Sequence, residues 1–202
     1  MLPDPAILLT FVLACLALNF TPGADMMFTI ASAASGGAKA GVAASFGINL
    51  GVVVHILLAA FGLAALIAAE PVAYDLIRYG GAAYLIWLAV QMWRAPPVDP
   101  ATSRAAGLGA AVRRGFVTNV LNPKTALFIF AFLPQFADPS RGAVWAQIIA
   151  LGAVFIATGF TVNALVGALA GVAAERLRRA SSLMNRLSAI VFGGLAARLV
   201  ID

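Results

Sequence analysis

What most constrains this chain is a recurrence of apolar runs, each about as long as a bilayer is thick, separated by short stretches of glycine, proline and charge. A helix rises about 1.5 Å per residue, so about 20 apolar residues cross a hydrocarbon core of ~30 Å. Six such runs are read at 6–34, 42–69, 72–93, 114–135, 143–172 and 183–201. They use most of the 202 residues and leave no room for a separate soluble domain. The chain is 62% hydrophobic and 10% charged, against roughly 45–50% and about 25% in soluble domains. The excess needs lipid as its solvent. The expectation is an all-α integral membrane protein, a single transmembrane domain over residues 1–202.

Charge placement gives the expected topology. Of 13 basic residues, nine (Lys39, Arg94, Arg104, Arg113, Arg114, Arg176, Arg178, Arg179, Arg186) fall on one side of a six-span layout. Three (Arg78, Arg141, Arg198) fall on the other, and Lys124 lies within a span. Basic loops stay cytoplasmic, so both termini are expected on the non-cytoplasmic side. The net charge of +5 belongs to these loops, without the aromatic and basic interleaving of a nucleic-acid surface. Ala31-Ser32-Ala33 imitates a cleavage site, but Asp4 stands where a signal peptide carries positive charge and the apolar run is too long. The single cysteine, Cys15, gives neither an intrachain disulfide nor a thiolate metal site.

The longest polar stretch, Arg94 to Arg114, contains Pro96, Pro97, Pro100, Asp99 and Ser103 and reads as a seam. It separates repeat one (1–94) from repeat two (114–202) through a cytoplasmic linker (95–113). Three spans per half invert the second relative to the first, the inverted-repeat pattern of transporters. Each half opens with a span interrupted by proline, in Thr21-Pro22-Gly23 and Asn122-Pro123-Lys124. Proline removes a donor and frees backbone groups at membrane depth. One proline is a simple kink; two at corresponding places suggest helices 1 and 4 broken around a site.

Asp25 and Lys124 are the only charges deep within the runs, each within three residues of a break. Charge at mid-bilayer costs about 2.5–3.5 kcal/mol on insertion scales, so such groups face a bundle interior or a wet cavity. Asp25 is read as receiving a cationic amino group, directly or by proton exchange. Lys124 is read as receiving a carboxylate, with Pro22, Gly23 and Pro123 shaping the site. A static Asp25–Lys124 ion pair is the alternative. Asn49, Asn119 and Asn122 join them as binding candidates, with Asn119 and Asn122 spaced to share a helix face. Asn19 and Asn163 are further amides within the runs. His55, an imidazole, is a second candidate for proton coupling, or a structural histidine. Gly37/Gly41, Gly47/Gly51 and Gly167/Gly171 are G-x-x-x-G pairs that either seal the halves or build a homodimer. Trp93, beside Arg94, reads as an interface anchor.

These residues resemble a known family. Asn19-Phe20-Thr21-Pro22-Gly23-Ala24-Asp25, Gly36-Gly37 to Gly51, Gly80-Gly81-Ala82-Ala83-Tyr84-Leu85, and Asn119-Val120-Leu121-Asn122-Pro123-Lys124 with Pro134-Gln135-Phe136 resemble the lysine exporter (LysE) superfamily, in its homoserine/threonine (RhtB) branch. The resemblance spans nearly the whole chain and implies a bacterial inner-membrane exporter of amino acids or close derivatives, driven by the proton gradient. The family's Pro-Gly-Pro is here Pro22-Gly23-Ala24, which lacks the second proline.

The function expected is a secondary, proton-coupled exporter of small amino acids, with substrate, protons and lipid as partners and no cofactor. A divalent-metal exporter would want several carboxylates, or clustered Cys, His or Met, whereas deep within the runs there is one Asp, one Cys and one His, far apart. An intramembrane serine hydrolase would want G-x-S-x-G, which is absent. An accessory protein would leave Asp25 and Lys124 without a task. No G-x-x-x-x-G-K-[ST] motif supplies ATP binding, so a gradient must drive transport.

Overall fold

A computed structural model describes residues 5–63, 72–94 and 107–201. The end of the second apolar run (64–69) and the linker residues 95–106 lie outside the described residues, as do the side chains of Arg78, Arg176, Arg178, Arg179 and Arg198. Among the described residues the helices are α1 (Pro5–Phe20), α2 (Ala24–Leu58, continued by a π-turn Ala59–Leu63), α3 (Val72–Arg94), α4 (Leu108–Val120), α5 (Pro123–Phe132) and α6 (Val144–Ile201). Single 3-10 turns, Leu133–Phe136 and Pro139–Arg141, join α5 to α6. No strand occurs among the described residues.

Two of these helices fold back on themselves. Gly37 in α2 has φ +76° and ψ 178°, a backbone that glycine adopts without penalty. A Cβ built at Gly41 would lie 2.7 Å from that of Ala33, although eight residues of straight helix would separate them by about 12 Å. The chain therefore reverses at Gly37, dividing the apolar stretch Ala24–Gly62 into two limbs. In α6, Phe155 and Phe192 both pack on Phe128, with ring centroids 5.6 and 6.4 Å away. A straight helix would hold them about 55 Å apart, so α6 returns on itself between residues 156 and 191. Among the described residues, the apolar helical stretches long enough to cross a bilayer are Ala24–Gly62, which Gly37 divides, and Val144–Leu169. Leu108–Val120 and Pro123–Phe136 form a further, bent pair at 54°.

Between apolar helices in lipid the driving force is close packing rather than escape from water. The glycines act accordingly. Cβ atoms at Gly47 and Gly115 would collide with the backbone of Val112 and the carbonyl of Ala44, and one at Gly51 would sit 2.7 Å from Asn119 Oδ1. Gly41 presses on the backbone of Gly167. Gly41, Gly47, Gly51 and Gly167 are thus used within the chain, seating the second limb of α2 against α4 and α6. Phe11, Phe128, Phe132 and Phe192 fill the core, while Leu9, Leu121, Leu165 and Ile190 point outward. Arg186 lies over the Trp93 ring at 5.8 Å, so the return limb of α6 and the end of α3 meet at one level.

Candidate substrate site at two facing helix breaks

The first break spans Thr21–Gly23, between α1 and α2. In a continuous helix the Leu18 carbonyl would accept from residue 22, but Pro22 has no N–H. That carbonyl instead accepts from Thr21 N at 3.1 Å and from Lys124 Nζ at 3.3 Å. Lys124 Nζ also donates to the Thr21 carbonyl at 2.9 Å. Gly23 is fully extended, and a Cβ there would lie 3.0 Å from the ammonium. The break forms without the second proline.

The second break, Leu121–Asn122, repeats the logic. Pro123 cannot donate to the Asn119 carbonyl, which accepts from Asn122 N at 2.9 Å and contacts His55 Nε2 at 3.2 Å. Asn122 caps α5, its Oδ1 accepting from Lys124 N at 3.0 Å, and Pro123 takes the first helical position, where its missing N–H costs nothing.

The breaks are tied crosswise. Lys124, from the start of α5, meets carbonyls at the C-terminal end of α1, where a cation suits the helix dipole. Asp25, in the first turn of α2, accepts through Oδ2 from Asn119 Nδ2 at 2.9 Å and Thr125 Oγ1 at 3.2 Å. Asp25 and Lys124 therefore send these bonds elsewhere than to one another. Oδ1 of Asp25 is buried and has no hydrogen-bond partner, and an ammonium with two bonds made retains a third donor. Both line a hollow with Leu18, Asn19, Thr21, Met26, Thr125 and Asn163. It leaves about 20 Å³ for water-sized occupants, room for about one water. Asn163 Oδ1 is likewise buried and unpartnered, while Asn19 Nδ2 donates to Thr158 Oγ1 at 3.2 Å.

Of the residues singled out in the sequence, Asp25 and Lys124 line this hollow, and Asn119 touches Asp25. Pro22, Gly23, Asn122 and Pro123 build the breaks. Asn119 and Asn122 do not share a helix face, because the chain leaves α4 between them and Asn122 turns inward as a cap. Asn49 is buried but donates to the Ser45 carbonyl one turn back, at 2.8 Å, and is not among the lining residues. His55 reaches the site through the Asn119 backbone. Thr21 and Thr125 were not singled out. Each adjoins a proline or a charge at a break, and that adjacency was the available signal.

Apolar helices, two of them reversing, gather their polar groups at two opposed breaks, and the family match makes this a membrane transport protein rather than an enzyme. The chain belongs to the LysE type translocator family, which matches residues 16–202. It is similar to an "Uncharacterized membrane protein" of Vibrio cholerae (33% identical, covering 95% of this chain and 93% of the relative). It is also similar to a "Homoserine/homoserine lactone efflux protein" of Salmonella typhimurium (32% identical, 75% and 74%) and a "Leucine efflux protein" of an Enterobacter species (29% identical, 94% and 93%). No solved structure matches.

Proposed function

We propose that this protein exports small amino acids or close derivatives across the bacterial inner membrane, at the hollow between its two helix breaks and by proton exchange at Asp25. One observation carries the reading: a carboxylate with a free, buried oxygen and an ammonium with an unused donor face one small polar hollow inside an apolar body. An amino acid presents the complementary pair, its ammonium to Asp25 and its carboxylate to Lys124. Asn163 and Thr125 are placed to meet the remainder. Relatives named for efflux of homoserine, its lactone and leucine support this substrate class. The site's single acid lies beside a lysine cation, a setting that repels a divalent metal rather than holding one.

In this reading the six apolar runs span the membrane as two inverted three-helix repeats, helices 1 and 4 are broken at Pro22 and Pro123, and both termini lie outside the cytoplasm. The ~20 Å³ hollow is then a closed state that opens to admit substrate. Substrate carboxylate competes with the Leu18 and Thr21 carbonyls for Lys124, so its arrival loosens the first break. The hollow is lined by residues of a single chain, and Gly41, Gly47, Gly51 and Gly167 of the glycine pairs pack within that chain.

The test is flux of labelled homoserine and leucine in proteoliposomes under an imposed pH gradient. Wild-type protein is expected to give gradient-dependent flux, and Asp25→Asn to reduce it about 10- to 100-fold, the worth of a charge-assisted hydrogen bond. Full activity of a folded Asp25→Asn variant would refute the site.

A further inference from the structure

The reading above gives Asp25 the proton and leaves His55 without a task. We infer that His55 is a positioning residue that supplies the hydrogen-bond donor Pro123 removes, holding the end of α4 so that Asn119 can grip Asp25. Three observations converge. The Asn119 carbonyl is the acceptor orphaned by Pro123, four residues on. His55 Nε2 stands 3.2 Å from that oxygen, and since a carbonyl only accepts, Nε2 carries the hydrogen. The same residue, Asn119, gives its side-chain amide to Asp25 Oδ2 at 2.9 Å.

The arrangement has a counterpart at the first break. There Pro22 orphans the Leu18 carbonyl, and Lys124 Nζ reaches it at 3.3 Å. Each orphaned carbonyl also takes a short-range N–H from three residues on, Thr21 to Leu18 and Asn122 to Asn119. A tightened turn and one basic side chain therefore complete each break.

The same geometry disfavours a proton path from His55 to Asp25. Such a path would cross a peptide carbonyl and an amide N–H, neither of which exchanges protons readily. The other ring nitrogen, Nδ1, is buried with no partner, and the ring meets Phe130 edge-on with centroids 5.9 Å apart. Gly51, one turn before His55 on α2, leaves Asn119 the space to approach.

A double-mutant cycle tests the assignment. In purified full-length protein, His55→Ala is expected to lower the thermal midpoint by about 3–6 °C. In a Pro123→Ala background, where residue 123 regains an N–H, the same substitution should lower it by less than half as much. Equal shifts in both backgrounds would overturn the assignment. Should Pro123→Ala not fold, His55→Gln, which keeps an N–H at similar reach, is compared with His55→Leu. Gln should hold the midpoint within about 2 °C and Leu should not; equal loss in both would overturn it.

A transport arm separates positioning from proton transfer. His55→Gln should leave the pH profile of homoserine flux unshifted, and a shifted profile would restore the proton-carrier role. The stability arm does not depend on export, so failure of the proposed function and failure of this inference are distinguishable.

Discussion

The two helix breaks look alike in sequence, and each takes a basic side chain from a distant helix, but the helices that leave them start differently. At the second, the start of the following helix is set locally: Asn122 caps the helix it precedes, and Pro123 occupies the position where its missing donor is harmless. At the first, α2 starts on an extended Gly23 that offers no side-chain cap. The carbonyls at and just past the end of α1 take local bonds from Thr21 and further ones from elsewhere, Leu18 and Thr21 from Lys124 and Ala17 from Ser188 Oγ at 3.0 Å. The first break therefore has no local cap, and the distant cation that completes it also faces the hollow, as His55 does not. In the transport cycle proposed above, having one break held by a group that substrate can draw away would let the site change shape.

This contrast can be broken most directly at Lys124. Lys124→Ala should abolish transport and cost on the order of 3 kcal/mol, because two buried carbonyls lose a charged donor. Asn122→Ala should cost about 1 kcal/mol, the value of one N-cap, and leave measurable flux. Chemical denaturation of both variants in detergent checks this order; a costlier Asn122→Ala would reverse the comparison.

A second lever is the packing of α4 on α2. Gly47→Ala would drive a methyl into the Val112 backbone, which cannot retreat as a flexible side chain can. It should destabilise by about 1–3 kcal/mol and loosen the Asn119 grip on Asp25. Gly62→Ala, where nothing lies within 4 Å, is the matched control in the same thermal-melting assay.

The smallest effect concerns neither break. Asp138, exposed in the turn between α5 and α6, is held below the ordinary carboxylate range by the Ser140 hydroxyl and amide, at 2.7 and 2.8 Å, with Arg141 adding to this. A lowered folded value contributes stability that is present above the unfolded pKa of about 3.9 and lost as pH falls through the folded one. Asp138→Asn should therefore leave thermal midpoints unchanged between pH 6 and 8 relative to one another. It should differ from wild type by a small, pH-independent offset there, with the two curves converging only below pH 4.

Much of the helical content was readable from apolar run length, since a stretch such as 143–172 has no other stable conformation in lipid. That Asp25 and Lys124 need polar partners was readable too, because an isolated charge in an apolar run must be satisfied and few groups are available. Their partners were not. Nothing local distinguishes Asn49, which bonds back to its own helix at Ser45, from Asn119, which crosses to Asp25. The difference lies in which face of α2 meets α4, and glycines at 47, 51 and 115 decide that through backbone approach. The i, i+3 spacing of Asn119 and Asn122 misled because it presumes a helix that continues, and the chain stops being helical between them. His55 was ambiguous for a related reason: the carbonyl it meets lies 64 residues away.

Sequence alone determined that this chain is helical, belongs in a membrane, and must bend where Pro22 and Pro123 withhold donors, because those outcomes follow from hydropathy and covalent chemistry within a few residues. Tertiary structure alone decided that Lys124 meets the end of α1, that Asp25 is held by Asn119 and Thr125, and that His55 faces the carbonyl left by Pro123. A backbone group orphaned at membrane depth must be satisfied by something, but which side chain arrives is set by packing between helices far apart in the chain.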